Sequence, residues 1–501
     1  MSERGTFNLS MPNSAFSASL IRTSLLSCKK TGKTRVFTPV RKSSGVFRLR
    51  LIEEIVGRRM AGGHLSVSGT CIFIVGAHLF LFFEYQQAQA QTITASPSAS
   101  SDCIRGAASG AQAVCRIAQF KAPRRPDPAP SLYGDFEYLL WWVKGAPLSA
   151  PLVSTGPAAN DEGFLVNSQS RVLYGAPFSP AVGGNNTQNF PGFSGGRLTL
   201  GYWLDEGRHL AVEARGFMLQ SRTARFEAQG NSLALGSSGI RIPVFNTVPY
   251  TPGSETDLTL SENGLPVSIP GIIAGGVVIT NSLRFWGTDA TGVFNVYRFS
   301  SWELNVLAGF RYLDLSESFN LTLSIAGLAN TIFEGQSGYA TDKFETRNQF
   351  YGADLGLRGR TFWGPVSLEL SGRVALGVSH EVLNVSGMFQ ATNYTAASGQ
   401  QGIFAQPSNS GERASNDFAV VPEFGAKIGY DVTPSVRVTL GYDFLYYSRV
   451  VRPGDQLDRN LPKGQIFQQG GSSVSSTSPT ALFNKTDFFA QGLSVGLAVR
   501  F

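Results

Sequence analysis

Phe489–Phe501 reads FAQGLSVGLAVRF, and its alternation decides the fold. Successive side chains of an extended strand point to opposite faces. One face of this stretch carries Leu493, Val495, Leu497, Val499 and Phe501, and the other carries Ala490, Gly492, Ser494, Gly496, Ala498 and Arg500. A helix would mix the two sets around its circumference, so period two marks a strand with one bulky apolar face and one small, polar face. The same division recurs upstream. Val436, Val438, Leu440, Tyr442, Phe444 and Tyr446 oppose Arg437, Thr439, Gly441 and Asp443. Phe418, Val420, Phe424, Ala426, Ile428 and Tyr430 oppose Glu423, Gly425, Lys427 and Gly429. Trp302, Leu304, Val306, Ala308, Phe310 and Tyr312 oppose Glu303, Asn305, Gly309 and Arg311, and Leu198, Leu200, Tyr202 and Leu204 oppose Arg197, Thr199 and Gly201.

A soluble barrel or sandwich also alternates, with its apolar face turned inward. Here the apolar faces end in Tyr, Trp and Phe while the opposite faces hold Gly, Ser, Thr and isolated charges. That is the pattern of a lipid-facing band with aromatic girdles around a polar lumen. Connection lengths agree. Strands placed at 134–143, 195–204, 208–219, 281–299, 302–313, 347–361, 365–378, 417–431, 435–447 and 488–501 leave every second connection tiny. Those turns are Asp205-Glu206-Gly207, Ser300-Ser301, Trp363-Gly364-Pro365 and Thr433-Pro434, each carrying turn residues. The others, 144–194, 220–280, 314–346, 379–416 and 448–487, run to about 30 to 60 residues, as outer loops do. The expected fold is all-β: a single antiparallel transmembrane β-barrel over 131–501, with about ten strands, short periplasmic turns, long outer loops and both termini periplasmic. A hairpin hidden in 144–194 or 220–280 would make about twelve.

Composition fits this reading. Of 501 residues only 15% are charged, well under the usual ~25%, while Gly (56) and Phe (36) are abundant. No stretch of ~20 apolar residues marks a helical membrane protein. The net charge of +7 is misleading, because residues 1–59 hold about 12 Lys and Arg against about 3 acids and leave the remainder near neutral. A basic nucleic-acid-binding body is not indicated. Thr70–Phe83 (TCIFIVGAHLFLFF) has the length of a signal-peptide apolar region, and Ala88 and Ala90 form an A-x-A cleavage signal. Residues 1–90 are thus expected to be a basic leader plus signal peptide, with a mature start near Gln91 and translation beginning either at Met1 or near Val56 or Met60. Cys71 has no lipobox before it. Residues 91–130, ending KAPRRPDPAP, read as a flexible periplasmic linker in which Cys103 and Cys115 are free to pair in an oxidising compartment.

At Tyr133–Gly156 (YGDFEYLLWWVKGAPLSAPLVSTG) the chain resembles the opening of beta-barrel porin family seven. The resemblance continues through GGRLTLGYWLD (195–205), LAVEARGFML (210–219), LNVLAGFRYLDLSE (304–317), FETRNQFYGADLGLRG (344–359), VALG (374–377), residues 418–460 and TDFFAQGLSVGLAVRF (486–501). Phe489 stands where the family commonly has Trp. The resemblance covers nearly all of 131–501 and implies an outer-membrane barrel with a signal peptide; it says less about what is transported.

The alternation turns Asp135, Glu137, Arg197, Glu213, Arg215, Glu303, Arg311, Asp354, Arg358, Glu369, Arg373, Glu423, Lys427, Arg437, Asp443 and Arg500 toward the interior. In so narrow a barrel these charges are expected to cross-pair and fill much of the lumen. The functional expectation is a narrow porin-like channel for small polar solutes or ions. A non-conducting structural or adhesive surface barrel is the alternative, because paired charges serve equally well as a polar core. An outer-membrane enzyme would need a positioned base. His380, beside Glu381, is the sole outer-rim histidine, and no GxSxG, HExxH or CxxC motif accompanies it. Trp141 and Trp142 read as girdle and lumen packing, and the spacing of Asp455 and Asp458 fits no EF-type calcium loop. No cofactor or metal is expected. The expected partners are outer-membrane lipids and the barrel-insertion machinery, the latter addressed by Leu493, Val495, Leu497, Val499 and Phe501.

Overall fold

The computed structural model describes residues 132–157, 163–167, 169–230, 238–247, 261–393, 399, 401–461 and 477–501, together with four three-residue strands between Cys28 and Leu49. The chain divides into Met1–Ile117 and Ala118–Phe501. Within the first, Cys28–Lys30 pairs with Lys33–Arg35, and Pro39–Arg41 with Phe47–Leu49. The expectations about the cleavage site, the linker, Cys103 and Cys115 lie outside the described residues. All that follows concerns the second unit.

Its main sheet uses β1 (Leu132–Val143), β2 (Phe193–Trp203), β3 (Leu210–Leu219, continued by Arg222–Gly230), β4 (Ile273–Arg298), β5 (Trp302–Gly327), β6 (Ser337–Trp363), β7 (Val366–Thr392), β8 (Gly411–Asp431), β9 (Val436–Val451) and β10 (Lys485–Arg500). Every neighbouring pair is antiparallel. The ring closes because β10 pairs with β1, as in Leu493 with Leu140, and because both parts of β3 lie along β4, as in Glu213 with Thr291 and Phe226 with Ile279. Closure leaves no open sheet edge to be satisfied by lipid. The turns at one end are short. Gly364 adopts φ +60 in the two-residue link between β6 and β7, a conformation that suits glycine.

The exterior of one half is an apolar belt: Phe136 and Tyr138 on β1, Leu198 and Leu200 on β2, Leu355 and Leu357 on β6, and Leu440 on β9 are all exposed. On β6 the belt runs from Tyr351 to Trp363, roughly 40 Å of strand and roughly 28 Å along the normal at a ~45° tilt, which matches a hydrocarbon core. The strands do not stop there. β4 to β8 continue well past the belt, so much of 314–346 and 379–416, read from sequence as loop, is strand, and Leu328–Gln336 is the connection left between β5 and β6. Beyond the belt the outward residues turn polar and the inward ones apolar, so alternation persists with its faces exchanged. Inside this outer half sits a cap: a small sheet of Pro151–Pro157, Arg171–Gly175, Ser238–Asn246 and Ser261–Ser268, with Asn460–Leu461 lying parallel to Ser238–Asn246.

Candidate functional site: the barrel lumen

The narrow ring brings charged side chains of different strands together across its interior. Arg197, 3% exposed, meets Glu137 at 2.5 Å and grips both carboxylate oxygens of Asp443 at 3.1 and 2.9 Å. Lys427 lies 2.8 Å from Glu137 and 3.2 Å from Asp135. Beside this cluster Arg215 donates to Asp289 (2.8 Å) and, bidentately, to Glu423 (2.6 and 2.9 Å). Arg311, 1% exposed, approaches Glu423 at 2.8 Å and Asp354 at 3.5 Å, while Arg373 bonds Asp354, Asp289 and Thr291. Arg358 forks onto Glu213 (2.7 and 2.7 Å), which also accepts from the Tyr133 hydroxyl. Nearer the short turns Arg360 joins Glu369 and Glu303, and Asp431 accepts from Arg437, with Arg500 3.8 Å away.

Buried charges are costly unless each is met by an opposite charge and hydrogen bonds, so shared carboxylates and forked arginines are what make this interior stable. Sequence reading missed Asp289, Arg360, Asp431 and Tyr133. Arg360 and Asp431 share the inward face of their strands with charges already identified, and extending the alternation by a few residues finds them; Asp289 is the charge of a strand on which none had been identified.

The apolar layer beyond the charges was not anticipated. Trp141, read together with Trp142 as girdle and lumen packing, is buried in the interior, whereas Trp142 faces outward and is 45% exposed. Ring centroids step across the lumen from Trp141 to Phe217 (5.4 Å), Phe217 to Phe285 (5.2 Å) and Phe285 to Phe488 (5.2 Å), with Phe350 against Tyr447 (5.8 Å) beside them. Phe285, Phe350, Tyr447 and Phe488 are each 0% exposed. Burial of such side chains is worth roughly 1.5–3 kcal/mol apiece. Above them the barrel's Phe319, Leu321, Phe344 and Phe389 pack with the cap's Leu152, Ile242 and Val267 and with Phe404 from the connection between β7 and β8. Arg452 is wholly buried and ties Glu317 (2.8 and 2.6 Å) to the carbonyl of Gly145.

One carboxylate holds the connection between β7 and β8. Asp342 Oδ1 accepts backbone N–H bonds from Ile403 (2.9 Å), Phe404 (3.1 Å) and Ala405 (2.8 Å). Asp342 lies beyond the apolar belt, and burial outweighs these donors, pushing its carboxyl up to about 6. The candidate enzymatic pair does not come together. His380 is on the outward face of β7, its Nδ1 2.8 Å from Asn416 Oδ1, while Glu381 faces inward to Lys485. On β10, Leu493, Val495 and Leu497 face outward, and Phe501, 66% exposed, follows the strand.

A closed antiparallel ring with a lipid-facing belt and a paired, polar interior defines an outer-membrane β-barrel. The family described as Putative beta barrel porin-7 (BBP7) matches residues 133–501, and the chain belongs to it. No curated protein matches the chain. Among solved structures it is similar to the outer membrane protease OmpT from Escherichia coli (10% identity, 75% of this chain and 98% of that one, TM-score 0.34) and to the outer membrane channel DcaP of Acinetobacter baumannii (9%, 74% and 96%, TM-score 0.13). The strand register, not these distant likenesses, carries the argument for the fold.

Proposed function

We propose that this outer-membrane barrel is closed in its resting state and serves as a rigid mount for the cap at the cell surface, with no enzymatic role. The observation that carries this reading is the layer of fully buried aromatic rings crossing the lumen, Trp141, Phe217, Phe285 and Phe488, stacked on a paired ionic layer. Ions cross neither layer unless side chains move. Both termini face the periplasm in this reading, since the short turns lie at that end. Residues 1–90 are its leader and 91–130 its linker. Leu493, Val495, Leu497, Val499 and Phe501 address the insertion machinery, and the exposed apolar belt meets outer-membrane lipid.

Membership of a porin family favours a second reading: a narrow channel for small polar solutes or ions that opens when the cap and aromatic layer shift. Planar-bilayer recording of the refolded protein separates the two. The closed reading expects a silent bilayer. Steady steps whose ion preference moves toward anions in Asp443→Asn and toward cations in Arg437→Gln would overturn it and establish the channel.

A further inference from the structure

Just beyond the lipid-facing belt, the outer surface of β4 to β7 carries an open groove of about 420 Å³. Its position is fixed by the aromatic girdle. Trp286 packs on Tyr312 at 5.2 Å and Tyr312 on Tyr351 at 5.0 Å, all at the edge of the belt. Such rings mark headgroup level in a bilayer. One pleat beyond Trp286, a single cross-strand row reads Arg284, Ser316, Arg347, because Arg284 is in register with Ser316 and Ser316 with Arg347. Two strand spacings of ~4.8 Å put the two arginine backbones roughly 10 Å apart, close enough for both guanidinium groups to reach one anion.

The two cations are prepared differently. Arg284 is exposed. Arg347, half exposed, is anchored by the fully buried Asp314, which accepts from its Nε at 2.8 Å and Nη2 at 2.7 Å; Nη1 takes no part in these bonds. Asp314 is itself fixed by Ser316 Oγ (2.8 Å) and the Tyr312 hydroxyl (3.2 Å). Two carboxylates line the groove: Glu345 is 2.7 Å from Lys343 and Glu317 is 2.6 Å from Arg452, so each charge is offset. Around the arginines the lining is hydroxyl-rich: Ser221, Ser282, Ser316 and Ser318, with Ser282 and Ser318 sharing a hydrogen bond of 2.6 Å.

We propose that this groove binds the phosphorylated sugar headgroup of an outer-leaflet lipid. Arg284 and Arg347 take the phosphate, the serines take the sugar hydroxyls, and the acyl chains run down the belt past Trp286 and Tyr351. Guanidinium pairs suit phosphate because they donate two parallel bonds to its oxygens. The assignment to the outer leaflet rests on the orientation proposed above.

The test uses the full-length protein in detergent, incubated with a phosphorylated diglucosamine lipid (lipid A) and read by native mass spectrometry. The wild type is expected to retain the lipid, and Arg284→Gln/Arg347→Gln to retain it about ten-fold less well while keeping its heat-modifiable migration on gels. Arg284→Gln alone, which leaves the Arg347–Asp314 pair intact, should show a smaller loss. Equal retention by wild type and both variants overturns the site. Displacement of the lipid by an equimolar amount of glucosamine 6-phosphate would overturn the lipid assignment in favour of a soluble sugar phosphate. Orientation is checked separately by labelling Ile332→Cys on intact cells with a membrane-impermeant maleimide. Absence of labelling overturns the outer-leaflet placement and the proposed topology, whereas labelling with unchanged lipid retention overturns the groove alone.

Discussion

The membrane-level half of the barrel and its outer half are built from the same strands, yet they carry their apolar residues on opposite faces. On β5, Leu304, Val306 and Phe310 point outward and Asn305 and Arg311 inward; further along, Leu313, Leu315, Phe319, Leu321 and Leu323 point inward and Ser316, Ser318, Asn320 and Thr322 outward. The backbone geometry is continuous through the change, since β5 and β6 pair without a register shift from Trp302–Thr361 to Ala326–Ser337. What changes is the solvent. Lipid accepts apolar side chains outside and leaves charges to pair within, while water outside the outer half drives apolar residues inward to pack with the cap.

The sharpest way to break this comparison is to remove one charge from the membrane-level interior. Glu423 serves both Arg215 and Arg311, so Glu423→Ala leaves two buried guanidinium groups short of a partner. A loss of about 3–5 kcal/mol is expected in urea unfolding of the refolded barrel. A loss below about 1 kcal/mol would mean that water reaches this layer and that the ionic core is not sealed.

Outside the same layer the rule reverses. Leu440 is 54% exposed, near the middle of the β9 belt. Leu440→Lys should cost about 2–4 kcal/mol when measured in lipid bilayers, because a charge at the midplane faces hydrocarbon. An unchanged midpoint would place this strand outside the membrane.

The outer half offers a pH test through Asp342. Its folded carboxyl, at about 6, lies above the ordinary value of 3.8, so the folded state holds the extra proton between these limits. The associated stability is present in full below about pH 4 and is lost as pH rises through about 6, by at most roughly 3 kcal/mol. Asp342→Asn keeps an oxygen to accept from Ile403, Phe404 and Ala405 and should flatten this slope. Hydrogen exchange at those three amides from pH 4 to 7 reads it directly, and an equal slope in wild type and variant would remove Asp342 as its source.

These two halves also differ in how far their sequence betrays them. The membrane-level half is legible because lipid demands large apolar residues at every outward position, and the faces of Phe489–Phe501 and Val436–Tyr446 stand as their alternation implies. The outer strands look like loop because Ser, Asn and Thr occupy the outward positions and the apolar residues between them serve a core that does not exist locally. That core needs Leu152, Ile242 and Phe404, brought from three separate connections, and no period within any one of them announces the meeting. The lumen charges were recognisable by face, but their partners were not, since Arg197 finds Asp443 and Arg215 finds Glu423 only once the ring has closed.

The smallest expected effect gives the most direct comparison of the two exteriors. Asn384 lies on the outward face of β7 beyond the belt, in register with Glu345 on β6 and Glu412 on β8. A lysine there meets water and stands between two carboxylates of neighbouring strands. Opposite charges directly across a ladder contribute roughly 0.2–1 kcal/mol, and solvent screening holds this pair to the low end. Asn384→Lys should therefore be neutral or stabilising by a few tenths of a kcal/mol, and the gain should fade as salt is raised. The same side chain is thus expected to cost several kcal/mol at Leu440 and nothing at Asn384. A large penalty at both positions, measured in the same bilayers, would place the belt's edge beyond Asn384 and carry hydrocarbon over the girdle formed by Trp286, Tyr312 and Tyr351.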